Sequence, residues 1–254
     1  MSRKKTFVIL TTQRSGSGWL VDLLDDHPSI AAYEEMFKVT ETTVASHGAT
    51  TVPRFEVMVP SGTFSTSAGL VQRRHQYIRG LGRAHPLARA VGFKLMYDQT
   101  RDHPGLMGVL TLMHARFIHL VRRDTLSAIV SYDLAHERDR WHYLAGDTIP
   151  AMRVHLDTTT LVDRLREREN EIARFRRRLR RMAVPVLEVA YEDLVVHHDR
   201  ILGEILGFLG VMQARRPLRS SVVRATPGRV WDLIENRDDV VAALAGTHYA
   251  PFAT

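Results

Sequence analysis

Hydrophobic and polar positions fall along the chain in blocks of two kinds. Some are short unbroken apolar runs; others are longer stretches in which apolar side chains recur every third or fourth position. The first pattern belongs to strands buried on both faces, the second to helices that cover them. Residues 6–12, Thr-Phe-Val-Ile-Leu-Thr-Thr, predict the first parallel strand. Gln13 to Gly18 is a turn of small and polar residues, and Trp19, Leu20, Leu23 and Leu24 follow at helical spacing up to His27-Pro28. A second short strand is expected at 30–32, running into Tyr33-Glu34-Glu35-Met36-Phe37. Residues 40–67 are rich in Thr, Ser, Gly and Pro and have little periodicity, so a long loop or lid is expected there.

The same alternation continues downstream. A helix is expected over 70–81, a strand over 90–96 with Lys94 inside it, and a helix closing at 110–114. Residues 116–121, Arg-Phe-Ile-His-Leu-Val, predict a core strand, 122–124 a turn, and Thr125 the start of a helix carrying Ser127 and Ser131. Asp157 or Thr158 is placed to cap a long helix over 160–182, whose apolar positions Leu161, Leu165, Ile172, Phe175, Leu179 and Met182 share one face. A last strand is expected over 184–189, leading into Tyr191-Glu192-Asp193-Leu194. The helix over 201–209 has Gly210 as its C-cap, and the tail 224–254 mixes loop and helix. Strands and helices in alternation, with no repeat and no linker, predict one α/β domain over 1–254: a central parallel sheet flanked by helices.

Composition narrows the function. No apolar run approaches the ~18 residues that span a bilayer, and the apolar stretch from Phe7 to Leu10 is too short for a signal-peptide core, so a cytoplasmic chain without a membrane span is expected. With no cysteine, disulfides, thiolate catalysis and cysteine-ligated zinc are excluded. The 13 histidines show no HExxH or other compact ligand spacing, and no metal site is expected. Net charge is +7, and 31 of the 35 basic residues are arginine. That bias fits a GC-rich genome, and it also fits anion binding, because the guanidinium fork matches phosphate and sulfate oxygens. Charge alone leaves a nucleic-acid-binding module open. The basic run 174–181, however, falls on the polar side of the long helix and reads as a solvated face, or as a candidate homodimer contact.

Thr11-Thr12-Gln13-Arg14-Ser15-Gly16-Ser17-Gly18-Trp19-Leu20 is the segment with most chemistry. Glycines let a phosphate approach the backbone, the N–H groups opening the next helix present partial positive charge, and Arg14, Ser15 and Ser17 add a full charge and hydroxyls. GxxxxGK[ST] is absent, and with it the lysine that reaches a γ-phosphate. A P-loop kinase-like phosphotransferase is therefore the weaker reading.

The segment resembles the 5′-phosphosulfate loop of sulfotransferases, Arg-Ser-Gly-Ser-Thr-x-Leu in its bacterial form. Leu120-Val121-Arg122-Arg123-Asp124-Thr125-Leu126 through Ser131 looks like that family's 3′-phosphate motif, an arginine at a strand end and a serine eight positions later, here Arg123 and Ser131. Gly92-Phe93-Lys94-Leu95-Met96-Tyr97 is similar to Gly-x-Lys-Leu-Met-Trp of the bacterial trehalose 2-sulfotransferase-like family. Tyr191-Glu192-Asp193-Leu194 and Phe208-Leu209-Gly210 resemble further family segments, and Gly246-Thr247-His248-Tyr249-Ala250-Pro251-Phe252 the end of rhizobial nodulation-factor sulfotransferases. The resemblance covers nearly the whole chain and is weakest over 40–90.

It implies a P-loop-like fold and a donor, 3′-phosphoadenosine-5′-phosphosulfate (PAPS), leaving 3′,5′-adenosine bisphosphate (PAP) as product. The acceptor is a hydroxyl of a small molecule, carbohydrate or secondary metabolite. Arg14, Ser15, Gly16, Ser17, Gly18, Trp19, Arg123, Ser131 and Tyr191 are implied nucleotide contacts, and Arg224 and Arg229 are candidates to close over the 3′-phosphate. Gly18 departs from the pattern, standing where the family carries Ser or Thr. Animal cytosolic sulfotransferases use a histidine as base. Alignment of His27-Pro28 with the bacterial branch implies Glu35 instead, with Glu34 the adjacent alternative. Two neighbours on a strand face opposite sides, so only one is expected in the site, its pKa raised by burial beneath the 40–90 lid. Arg14, Lys94 and Arg123 are expected to stabilise developing charge, Lys94 alternatively as an ion-pair partner of Glu35, without a metal. The 40–90 region and a helix after Trp141 are the expected acceptor pocket.

Overall fold

The computed structural model describes residues 4–38, 44–47, 50–58, 67–226 and 228–253. Strands β1 (Lys5–Thr11), β2 (Ile30–Glu35), β3 (Val44–His47), β4 (Thr50–Pro53), β5 (Ala90–Met96), β6 (Arg116–Val121), β7 (Tyr143–Leu144), β8 (Val186–Ala190) and β9 (Val222–Val223) follow one another along the chain. Between and after them run helices α1 (Ser17–Asp25), α2 (Phe55–Met58), α3 (Ser67–Ala84), α4 (Gln99–Asp102), α5 (Leu106–Leu112), α6 (Thr125–Glu137), α7 (Thr158–Met182), α8 (Tyr191–Val196), α9 (His198–Leu209) and α10 (Arg237–Leu244).

The five long strands form one parallel sheet in the order β2-β5-β1-β6-β8. Period-two geometry explains why β1 reads as an unbroken apolar run. Phe7 and Ile9 enter the cluster formed with α1 and α9, while Val8 and Leu10 enter the opposite cluster with α3, α5 and α7. A third cluster joins α6, α7 and α10 beside the sheet. From β1 the chain first builds one side of the sheet, β2 and β5, then crosses to build β6 and β8. The loops after β1 and β6 thus flank the point where strand order reverses, the usual ligand crevice of an open α/β sheet.

Local chemistry sets the helix starts. Asp124 caps α6 by accepting from the Ser127 N–H at 2.8 Å, and Asp157 caps α7 by accepting from the Thr159 N–H at 3.0 Å. Gly210 ends α9 at φ +69°. Among the described residues no helix is long and apolar enough to cross a membrane.

Three expectations change. The 40–67 stretch is not structureless: β3 and β4 pair as an antiparallel ribbon and α2 follows. Phe55 fastens this excursion. Its ring is buried against Phe37 and Tyr77, with centroids at 5.1 and 5.4 Å, and the Phe55 N–H donates to Met36 O at 3.1 Å. The expected helix after Trp141 is instead the short β7 and irregular chain up to Asp157. Finally, β2 extends to Glu35 and carries a bulge: Tyr33 pairs with Phe93 and Glu35 with the next residue, Lys94, so Glu34 is the extra residue.

Candidate active site

A cavity of about 640 Å³ opens at the carboxyl ends of β1, β5 and β6. Its floor is the turn between β1 and α1, the strand–turn–helix form of a P-loop without its lysine. Arg14 at φ +59° and Gly16 at φ +79° both adopt the left-handed conformation, which bends the turn tightly and is uncommon for a residue with a side chain. A Cβ on Gly16 would run into the Tyr191 ring. No side chain caps α1, so its first N–H groups are left to whatever occupies the cavity. Ser15 is fully buried, and its Oγ has no hydrogen-bond partner. An orphaned buried hydroxyl costs about 1–3 kcal/mol, and a ligand that accepts from it removes that cost.

Arginines surround this turn. Arg168, reaching from α7, donates to Gln13 O, and Arg122 Nη1 donates to Arg14 O at 3.1 Å. Arg14 itself donates through Nε to Ser131 Oγ at 2.9 Å and through Nη1 to Trp141 O at 2.6 Å. Arg122 also stacks over Tyr191, 4.9 Å from the ring centre. Burial first, then the neighbouring Arg122, pushes the Arg14 and Arg168 guanidiniums down to about 10, and burial lowers Arg122 as well. Among the described residues none of the three makes an ion pair, and Arg122 Nε and Arg168 Nε are buried without partners. Asp124 and Glu192 raise Arg122 and Glu171 raises Arg168, but burial still leaves all three guanidiniums below their ordinary value, an arrangement suited to an anion.

The sequence-derived contacts divide. Arg14, Gly16, Ser17, Gly18, Trp19, Ser131, Tyr191 and Arg224 line the cavity, and Ser15 lies buried in the turn between them. Arg123 does not. Its side chain is 57% exposed and bonds outward to Asp193 and, at 3.6 Å, to Glu192; the neighbouring Arg122 occupies the cavity wall instead. Ser131, expected to share an anion with Arg123, here accepts from Arg14 instead. Arg229 is exposed and away from the cavity. Of the 40–90 stretch expected over the site, no described residue lines the cavity, and 40–43, 48–49 and 59–66 lie outside the described residues.

Across from the turn, Lys94 is buried in β5 and pairs with Glu34 and, at 3.1 Å, with Glu35 Oε1. Gln99 Nε2 donates to Glu35 Oε2 at 2.5 Å, so both Glu35 oxygens are held. The bulge at Glu34 cancels the strand alternation that was expected to turn one carboxylate away, and both reach the lysine. The expected rise in the Glu35 pKa is also overturned. Burial pushes it up, but Lys94, Lys38 and the Gln99 hydrogen bond more than offset this, and the carboxyl ends below its ordinary range. Lys94 shows the reciprocal effect: burial lowers it, the two glutamates raise it further, and it stays charged.

Several residues of the site carried no legible signal, Gln13 and His142 in the cavity wall and Arg168 outside its lining. Gln13 Nε2 donates to Asp98 Oδ2 at 2.7 Å and ties the turn to the end of β5. Arg168 is one arginine among many on a helix. His142 hangs over Gly18 from the irregular stretch beyond α6.

Nodulation protein H of Rhizobium tropici is 23% identical over 252 residues, covering 97% of this chain and 92% of that protein. Among solved structures, a sulfotransferase from Alicyclobacillus acidocaldarius is 16% identical, with a TM-score of 0.45 over 96% of this chain and 92% of that one. A mouse sulfotransferase complexed with PAP is 11% identical, with a TM-score of 0.47 over 98% and 87%. The family model for Stf0 sulphotransferase matches residues 6–235. A match over that span shows the family: the chain belongs to the Stf0 sulphotransferases and is a sulfotransferase enzyme.

Proposed function

We propose that this sulfotransferase takes its sulfuryl group from PAPS and places it on a hydroxyl of a small-molecule, carbohydrate or secondary-metabolite acceptor, the whole chain acting as one catalytic domain. The observation that carries this reading is the unpaired arginine cluster around an uncapped helix start, with a lysine–carboxylate centre across the same cavity. The first suits the phosphates of a nucleotide, the second the transfer itself.

In this reading the 5′-phosphosulfate lies on the turn, against the N–H groups of α1, Ser15 and Arg14. Arg122, Ser131 and Arg224 are available to the second phosphate, and Tyr191 and Trp19 offer apolar surface beside it. The acceptor oxygen bonds to sulfur as the bond from sulfur to the bridging oxygen breaks. The electron pair stays on the 5′-phosphate of PAP, and the acceptor's proton goes to Glu35. Arg14 and Lys94 supply positive charge where the bridging and peripheral oxygens gain negative charge. A carboxylate below its usual range is a weak base, so the proton moves late, once the forming O–S bond has made the hydroxyl acidic. Glu35 is ionised throughout the neutral range, and through it the rate is expected to fall only below about pH 4.5.

Calorimetry tests the donor. PAP is expected to bind with a dissociation constant on the order of micromolar without Mg²⁺. Tighter binding of ATP with Mg²⁺ would favour a kinase-like phosphotransferase, and tighter binding of an oligonucleotide a nucleic-acid module. Glu35→Gln is expected to abolish turnover while PAP affinity is retained; a variant near the parent rate would move the base to Glu34 or elsewhere.

A further inference from the structure

We propose that His142 is a contact for the transferring sulfuryl group itself, and that glycine stands at position 18 to admit its ring. The inference rests on the PAPS reading above and adds a residue to it.

The backbone that carries this histidine is held on each side. Arg14 grips Trp141 O at 2.6 Å, and Arg140 Nε donates to His142 O at 3.1 Å. Tyr143, the next residue, is buried beneath the Arg140 guanidinium and pairs with Val223 across β7 and β9. A ring hung from so fixed a stretch is aimed before any ligand arrives. It is aimed at the first turn of α1. A Cβ built on Gly18 would lie 3.2 Å from His142 Cε1, 3.3 Å from its Nδ1 and 3.4 Å from Glu34 Oε1. The imidazole and the Glu34 carboxylate therefore converge on the space that a side chain at position 18 would claim.

That space lies between the two halves of the site, above the helix start and beside the Lys94 centre. A group that leaves a phosphate seated on α1 and moves toward an acceptor near Glu35 must pass it. Among the described residues, neither ring nitrogen of His142 has a hydrogen-bond partner. The charged groups facing the ring are Lys94 from β5, Glu34 and Glu35 from β2, and Arg14 from the turn. His142 is exposed as a whole residue, but the cavity side of its ring is shielded from water; that desolvation, then Lys94, lowers its pKa and favours the neutral imidazole, which keeps one N–H to give. A neutral donor serves a sulfonate oxygen without competing with Lys94 and Arg14 for counter-charge.

PAPS and PAP differ by the sulfuryl group, and titrating both by calorimetry isolates this contact without knowledge of the acceptor. His142→Ala is expected to weaken PAPS about tenfold, the loss of one hydrogen bond to a charged oxygen, with PAP held within about twofold. His142→Gln, whose amide N–H has similar reach, recovers most of that loss. Gly18→Ala, whose Cβ meets the ring, is expected to narrow the ratio of PAPS to PAP affinity whatever it does to both, and to add nothing to that ratio on top of His142→Ala. Equal weakening of both ligands would make the ring part of the nucleotide scaffold and overturn the assignment, as would unchanged PAPS binding in His142→Ala. A parent chain that binds neither ligand overturns the donor reading, and this inference with it.

Discussion

At Gly16 two independent constraints meet. The backbone stands at φ +79°, where a side chain costs about 1 kcal/mol, and the Tyr191 ring fills the place a Cβ would take. Displacing that ring also disturbs Arg122, which stacks on it. Gly16→Ala is therefore expected to lower Tm by a few degrees, and to weaken PAP more than about tenfold, since a charged contact is lost with the turn. Melting curves with and without PAP check both; a variant that melts and binds like the parent would separate the turn from the nucleotide. The glycine and serine pattern was readable here because a tight strand-to-helix turn needs its residue types locally. Position 34 was not readable in the same way. Strand alternation is a sound rule, but a bulge depends on how β2 registers against β5, some sixty positions later in the chain.

Strand ends show the same division at the level of elements. The end of β6 offers two adjacent arginines, and spacing from Ser131 favours Arg123. Which one turns inward is decided by β8, whose continuation brings Glu192 and Asp193 alongside and draws Arg123 outward. Arg122→Ala is expected to weaken PAP by at least about tenfold, the loss of a charge-assisted contact. Arg123→Ala, removing an exposed pair, should change PAP affinity by less than about twofold. Calorimetry on the two variants separates them, and the reverse order would return the 3′-phosphate to Arg123. The excursion from β3 to α2 follows this logic too. Its short strands are weak in sequence, and it is fastened at Phe55 by rings from β2's exit and from α3.

Across the whole molecule, Glu188 of β8 ties together β6, α7 and the turn after β5. It accepts from the Arg176 guanidinium of α7, with Nε at 2.6 Å, and lies 3.0 Å from His119 Nδ1 of β6; His119 Nε2 in turn meets Tyr97 OH, just beyond β5, at 2.6 Å. The His119 hydrogen bond, followed by Arg176, outweighs burial and holds the Glu188 carboxyl down to about 2. A carboxylate depressed in the folded state contributes stability that is complete above its ordinary 4.5 and is lost as pH falls toward 2. Partial exposure screens the effect, so a modest fall in Tm over that window is expected, flattened in Glu188→Gln. A variant with the parent's full acid sensitivity would place the loss elsewhere.

Read alone, the sequence was enough for the five strands of the parallel sheet, most of the helices that cover it, the strand–turn–helix at 13–18 and Lys94 inside β5. These follow from periodicities and residue types acting within a few positions of one another. Tertiary packing decided which of Arg122 and Arg123 faces the cavity, that both glutamates reach Lys94 and hold Glu35 below its usual pKa, and that His142 stands over Gly18. Each of those outcomes is set by the field and the space that a distant segment supplies, and a side chain's direction and charge state answer to those neighbours rather than to adjacent sequence.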